Sequence, residues 1–400
     1  MLDYNRNEEI YASYDRMTAH ELFLRMGLSK RLVDDFITPT LLVGLFKPPE
    51  ELSAALVMDL LYFYAFAHQT SFDVRWMRKG TIASSIIKPL VEKLEDQHDL
   101  KIMPYSRVDS IGMKTSQSNQ VGSIEYSTYD KSTDSVEKGK LDDIDAVVLA
   151  VGAKGMKTII NGSPELGKIS SELSNAASMN AISCISVRIW LDKVVPTLCP
   201  ANVFSRFEDL RGAGGTFFML DQLQTGTDLW NEEREDKGSV VACDFYNSGA
   251  LMSLSDEEIL SILKDRLLPS AVPAFNDANV VDFEVRKYAD AVSWFSPGSY
   301  RTRPSLAVKG VSNIVCAGDW VKLGDREHGA KGLCQERAFV SGLEAANQLA
   351  RNGVLKGSKG QMAEVIPVRE DEVQVQLGRE LNKRVMSVLD PLGLGSFWVR

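Results

Sequence analysis

Two short apolar runs constrain this chain most. Residues 145–151 read DAVVLAV and stop at Gly152, and residues 313–317 read NIVCA and stop at Gly318 and Asp319. Such runs lack polar alternation, which marks strands shielded from water on both faces. Strands of that kind belong to parallel sheets covered by helices, so an α/β architecture is expected. After NIVCA come a polar loop and a long helix from Gln335 to about Ala350. Phe339, Leu343 and Ala346 are expected on its buried face, with Gly342 allowing close packing. Ligands of open α/β sheets sit beyond the carboxyl ends of strands. Helix amino termini aim free N–H groups at electron-rich atoms. Asp319 is thus placed to accept hydrogen bonds from a polyol, and the amides near Gln335 and Glu336 to stabilise negative charge. An ordinary strand–loop–helix crossover fits the same residues about as well.

Helices precede these strands. Thr18 and Glu21 have the spacing of a capping box. Pro48 and Pro49 are expected to open an almost entirely apolar helix from Glu50 to Ala67, either a core element or the wall of an apolar tunnel. Residues 80–95 carry Ile82, Ile86, Leu90 and Leu94 at four-residue spacing, with Pro89 expected to kink the helix. Residues 101–113 read as a strand, and 114–140 as a strand pair with an exposed loop. Residues 158–288 alternate strands with one helix, capped by Ser255 and Glu258.

Three glycine clusters invite comparison with phosphate loops. Gly152, Gly155 and the Lys157–Thr158 pair follow a strand, but the spacing is not the GxxxxGK[ST] that wraps a phosphate chain. Gly212, Gly214 and Gly215 precede a strand and read as a turn. Gly329 and Gly332 lie just ahead of the last long helix, where backbone can approach a ligand. No GxGxxG follows a strand anywhere in the 400 residues.

Composition removes other classes. The net charge of −9 comes without a basic cluster, which argues against a nucleic-acid partner. Five scattered cysteines with no CxxC pair argue against a disulfide framework or structural zinc, and the expected role is as small buried hydrophobes. The four histidines form no metal cluster in the sequence. No run reaches the roughly 18–20 apolar residues of a membrane-spanning helix. The acidic start reads as neither signal nor transit peptide. The tail RVMSVLDPLGLGSFWVR could lie at a membrane interface or dock on the protein itself.

These motifs resemble the flavin-containing phytoene desaturases, protoporphyrinogen oxidases and amine oxidases, and most nearly the carotenoid desaturases. Gly318 and Asp319 resemble that family's carboxy-terminal flavin signature, whose acid binds the ribityl chain. The helix from Gln335 and Glu336 resembles the one facing the flavin pyrimidine edge. VSWFSPG, with Trp294, resembles the segment that packs against the flavin. Val108, closing LKIMPYSRV, resembles the valine whose backbone contacts adenine. The stretch TPTLLVGLFKPPEELSAALVMDLLYFY is similar to the desaturases' helical substrate region. The resemblance runs from about Tyr14 to Leu349 and is looser between Asn161 and Lys287.

The resemblance implies a Rossmann-like FAD domain (73–157 and 290–355) interleaved with an α+β substrate domain (1–72 and 158–289), then a tail (356–400). It implies FAD as cofactor and hydride transfer from a hydrophobic, carotenoid-like small molecule, with no general acid or base assigned. Plant and algal relatives of full length would be plastid proteins. The family's opening strand–GxGxxG–helix unit has no counterpart here, so this chain is expected to hold flavin poorly and to be a truncated form. The loop 321–331 departs from the common desaturase form and leaves the substrate open. An amine or porphyrinogen oxidase, or an inactive isoform acting as a binding partner, remain the alternatives.

Overall fold

The computed structural model describes residues 8–62, 77–115, 117–205, 207–225, 229–230, 237–324, 334–355, 362–367 and 371–393. Among the described residues, ten strands fall into three sheets. In chain order they are β1 (Ser106–Lys114), β2 (Gln117–Asp130), β3 (Ser135–Leu141), β4 (Val147–Leu149) and β5 (Ala181–Leu191), then β6 (Ala201–Phe204), β7 (Gly214–Met219), β8 (Val240–Tyr246), β9 (Val280–Ser293) and β10 (Ile314–Cys316). β1, β2 and β3 make an antiparallel meander, as residues 101–140 lead one to expect. The two apolar runs pair in parallel as β4 and β10, with Leu149 opposite Cys316.

The parallel pair differs from expectation on one face. Val147 and Leu149 are buried, but Val148 is 45% exposed and β4 has no second neighbour among the described residues. Three-residue strands cannot stand alone as a sheet. Asn313 ties them to the meander instead. Its Nδ2 donates to the carbonyls of Val121 and Asp145, and its Oδ1 accepts from the Val121 amide.

The third sheet is antiparallel, in the order β6-β7-β8-β5-β9. On β5, Ile185, Val187 and Ile189 point inward while Ser186 and Arg188 point away, the period-two pattern of a strand with one apolar face. Val241, Cys243 and Phe245 repeat it on β8. The covering helix Asp256–Ser261 starts at the expected capping box of Ser255 and Glu258. Its continuation sets Leu263, Leu267 and Leu268 into that core. Each such side chain contributes about 1.5–3 kcal/mol on burial.

Prolines leave a consistent mark on the helices. π-helical turns at Val33–Ile37, Ala83–Ile87 and Ile262–Leu267 each lead into an α-helix whose second residue is proline: Pro39, Pro89 and Pro269. Proline cannot donate to the carbonyl four residues back and its ring crowds that group. Widening the preceding turn accommodates both. The kink expected at Pro89 is thus a π turn. The face expected to be buried there is open: Ile82, Ile86 and Leu90 are 41%, 53% and 42% exposed among the described residues.

Three other expectations are corrected. The apolar helix starts at Ala54 rather than Glu50, because Pro49–Glu51 form a single 3-10 turn and Leu52 and Ser53 are extended. Its Leu56, Val57 and Leu60 belong to the main core, together with Leu149, Ile314 and Trp320; residues 63–67 lie outside the described residues. On the Gln335–Arg351 helix, Phe339 is 61% exposed and Ala346 exposed, and nothing approaches Gly342. The buried positions are Arg337, Ser341, Glu344, Ala345, Asn347 and Leu349. Only Cys243 and Cys316 are buried cysteines; Cys199 is exposed.

The Thr18 box forms by half. The Thr18 hydroxyl accepts from the Glu21 amide, while the Glu21 carboxylate pairs with Arg25.

Candidate active site

The carboxyl ends of β4 and β10 lie side by side, with the Ala317 amide donating to the Leu149 carbonyl at 3.1 Å. Beyond them opens a cavity of about 400 Å³, within the range of small-molecule sites. Ala150, Val151 and Gly152 line it where β4 gives way to the Ala153–Gly162 helix. Gly318, Asp319 and Trp320 line it after β10. Cys334, Gln335 and Ala338 bring the amino terminus of the last long helix to the same space. Ala291, Val292 and Ser293 close it from the end of β9, and Phe46 from the helical side. Two strand ends and two helix amino termini therefore converge, which makes the cavity electropositive along its backbone.

Gly318 sits at φ +132°, where side chains are strained, and an added Cβ would lie 3.1 Å from the Trp320 ring. Its amide donates to Ser341 Oγ at 2.7 Å, and Trp320 Nε1 donates to the Val151 carbonyl at 2.9 Å. The turn is thereby clamped to both the last helix and β4. Asp319 is half-buried. Burial pushes its carboxyl above the usual range, while the guanidinium groups of Arg337 and Arg303 and the backbone amides of Asp319 and Trp320 pull it back.

Those two arginines are buried and went unmarked in the sequence. Arg337 Nε donates to the Asp319 carbonyl and its Nη2 to the Val321 carbonyl, both at 2.7 Å. Arg303 Nε donates to the Trp320 carbonyl at 2.7 Å, and the guanidinium packs over the rings of Phe295 and Tyr300. Nothing in residue type or spacing distinguishes them from surface arginines. Asp15 anchors the neighbouring turn: its carboxylate accepts from Ser53 Oγ at 2.6 Å and from the Tyr300 amide at 3.1 Å. Burial pushes that carboxyl up as well, against these bonds and the nearby arginines.

Of the residues singled out in the sequence, Gly318, Asp319 and Gln335 come together at the cavity. Glu336 follows at the exposed first turn and is not part of the lining. Trp294 directly follows the lining residue Ser293, but its indole donates to the Glu51 carbonyl at 2.8 Å and lies under Lys47. Val108 is on β1 opposite Tyr126, away from the lining. The residues Gly329 to Gly332, and most of the departing loop, lie outside the described residues. Phe46 was missed. It adopts φ +63° and stacks on Tyr246 with centroids 4.7 Å apart. Among the described residues, no group of His, Cys, Asp and Glu is arranged to hold a metal ion.

Residues 5–353 match the family of flavin-containing amine oxidoreductases, and the chain belongs to that family. A carotenoid phi-ring synthase from Streptomyces griseus is similar, at 26% identity over 319 residues. That alignment covers 78% of this chain and 54% of the relative, so the chain spans about half its length. Among solved structures, the chain is similar to cyclohexylamine oxidase from Brevibacterium oxydans, at 14% identity and a TM-score of 0.49, covering 85% of this chain and 69% of that one. An oxidoreductase from Methanosarcina mazei gives 12% identity and a TM-score of 0.48, covering 84% and 67%.

Proposed function

We propose that the cavity holds the redox end of FAD and that the protein takes a hydride from an apolar, isoprenoid-like small molecule. The observation that carries this reading is the convergence of two parallel strand ends and two helix amino termini on Gly318 and Asp319. The residues present fit a flavin. Gly152 and Gly318 leave backbone bare for close approach, and Asp319 offers a carboxylate with no side-chain donor bonded to it among the described residues.

In this proposal Asp319 accepts from the ribityl hydroxyls, a charge-assisted bond. The amides around Gln335 and Glu336 would stabilise negative charge on a bound flavin, as the helix dipole favours. Trp294 would hold the segment after Ser293 in place through its bond to the Glu51 carbonyl, and Val108 would serve the adenine end, as the family resemblance implies. When bound, the flavin supplies the redox chemistry, and the protein's part is binding, orientation and exclusion of water. Apolar walls from Ala150, Val151, Val292 and Ala338 serve the last of these. The isoprenoid reading draws support from the carotenoid enzyme among the relatives.

The test is anaerobic. Protein loaded with FAD and mixed with an acyclic carotenoid should lose the flavin's visible band, and the band should return with an electron acceptor. A loaded protein whose band persists with carotenoid but bleaches with a primary amine would replace this substrate by an amine.

A further inference from the structure

We propose that Arg337 and Arg303 are positioning residues that keep Asp319 aimed into the cavity, gripping from behind the three peptide carbonyls that follow Gly318. This deepens the cofactor reading and rests on Asp319 meeting the ligand. Beyond Ala317 the chain no longer pairs with β4, and buried carbonyls there need other donors. The arginines supply them. The Asp319 carbonyl accepts from Arg337 Nε and the Trp320 carbonyl from Arg303 Nε, both at 2.7 Å. The Val321 carbonyl accepts from both guanidinium groups, Arg337 Nη2 at 2.7 Å and Arg303 Nη2 at 3.4 Å. Arg337 comes from the first turn of the last long helix, and Arg303 from just after the 3-10 turn Ser299–Arg301. The turn is therefore gripped by two separate elements. Ser341 holds the Gly318 amide and the Val151 carbonyl holds the Trp320 indole. With the carbonyls turned back and the indole tied down, Asp319 is the charged side chain left at the cavity lining.

Neutral donors would satisfy those carbonyls equally, so the two charges need a separate reason. Arg337 and Arg303 are 2% and 3% exposed, and burying a cation is costly unless an opposite charge is near. The opposing carboxylates are Asp319, which feels both arginines, and Asp15, which feels Arg303. At Asp319 burial works against ionisation and the arginines work for it. Among the described residues, Cys334 is the other titratable group lining the cavity. An ionised carboxylate accepts with both oxygens, whereas the protonated acid turns one of them into a donor. The arginines thus have two separable effects: the planar fork sets the direction of Asp319, and the charge sets its protonation. Lysine keeps the charge and loses the fork. Glutamine keeps a donor and loses the charge.

Equilibrium dialysis of the full chain against FAD, repeated from neutral to acid pH, separates the two effects. Arg337→Lys should bind FAD about tenfold or more weakly, with the acid fall-off in binding at the wild-type pH. Arg337→Gln should weaken binding likewise and move the fall-off to higher pH, because Asp319 then takes its proton sooner as pH drops. In an Asp319→Ala background, neither change should weaken binding by more than about twofold, since the arginines act through the missing carboxylate. Should Arg337→Gln not fold, judged by near-ultraviolet circular dichroism, Arg337→Lys and Arg303→Lys carry the test of direction. Wild-type affinity and fall-off in the arginine variants overturn the proposal, as does a loss that persists in full without Asp319. Asp319→Ala that binds FAD as wild type does would instead retire the cofactor reading, and this proposal with it.

Discussion

Replacing Asn313 by alanine should be among the most damaging single changes near the site. The side chain is 1% exposed and makes three bonds of 2.9–3.0 Å, to the Val121 amide, the Val121 carbonyl and the Asp145 carbonyl. Alanine leaves those three backbone groups unpaired where Val121 itself is fully buried. An unsatisfied buried group costs about 1–3 kcal/mol. Each carbonyl tolerates the loss better than the amide, so about 3–5 kcal/mol is expected for the set. That is a large share of the roughly 5–15 kcal/mol that holds a domain together. Asn313→Asp keeps the acceptor for the Val121 amide but turns a carboxylate oxygen toward two carbonyls. Its folded pKa must then rise, so the stability of this variant is best below the unfolded carboxyl value of about 3.9 and falls as pH climbs through the folded one. Urea unfolding followed by circular dichroism, at several pH values, reads both effects. A loss under about 1 kcal/mol for Asn313→Ala, with unchanged urea dependence, would refute the view that this residue joins meander and parallel pair.

Leu60→Asp should cost several kcal/mol and lower the melting temperature sharply, as an unpaired charge in the main core does. A variant that melts normally yet fails to turn over would restore the tunnel reading. Membrane contact is proposed through the helix Val373–Leu389, where Val373, Leu377 and Leu381 are 65–69% exposed at four-residue spacing. Liposome flotation should weaken on deleting residues 384–400 or introducing Leu377→Asp with Leu381→Asp; no difference would retire the anchor. Freshly purified chain should carry little flavin, because no GxGxxG turn offers its amides to a pyrophosphate. Stoichiometric yellow protein would mean that other residues replace that turn.

The parallel pair and the position of the cavity beyond it were legible because unbroken apolar runs with a following glycine have few other uses. Val148 escaped, since a run apolar on both faces does not say whether both faces find a neighbour. The buried face of the last helix was misread for a physical reason. Arg337 and Glu344 are buried there through hydrogen bonds and ion pairing, while Phe339 faces outward. Periodicity of apolar residues registers hydrophobic burial and is blind to polar burial. Phe46 was invisible for another reason: its role depends on a positive φ and on Tyr246, 200 positions away. Asp319 and Gln335 reach the cavity lining because a strand end and a helix start place them by chain geometry alone.

The central claim is that Asp319 and the turn after β10 hold a flavin. Equilibrium dialysis of the chain against excess FAD, compared with Asp319→Ala, tests it most directly. The account predicts saturable binding that weakens about tenfold or more in the variant, since a hydrogen bond to a charged group contributes roughly 1.5–3 kcal/mol. It also predicts that wild-type binding weakens as pH falls through the raised Asp319 pKa, because only the carboxylate accepts from two hydroxyls. Equal FAD affinity in wild type and Asp319→Ala across that pH range would contradict it.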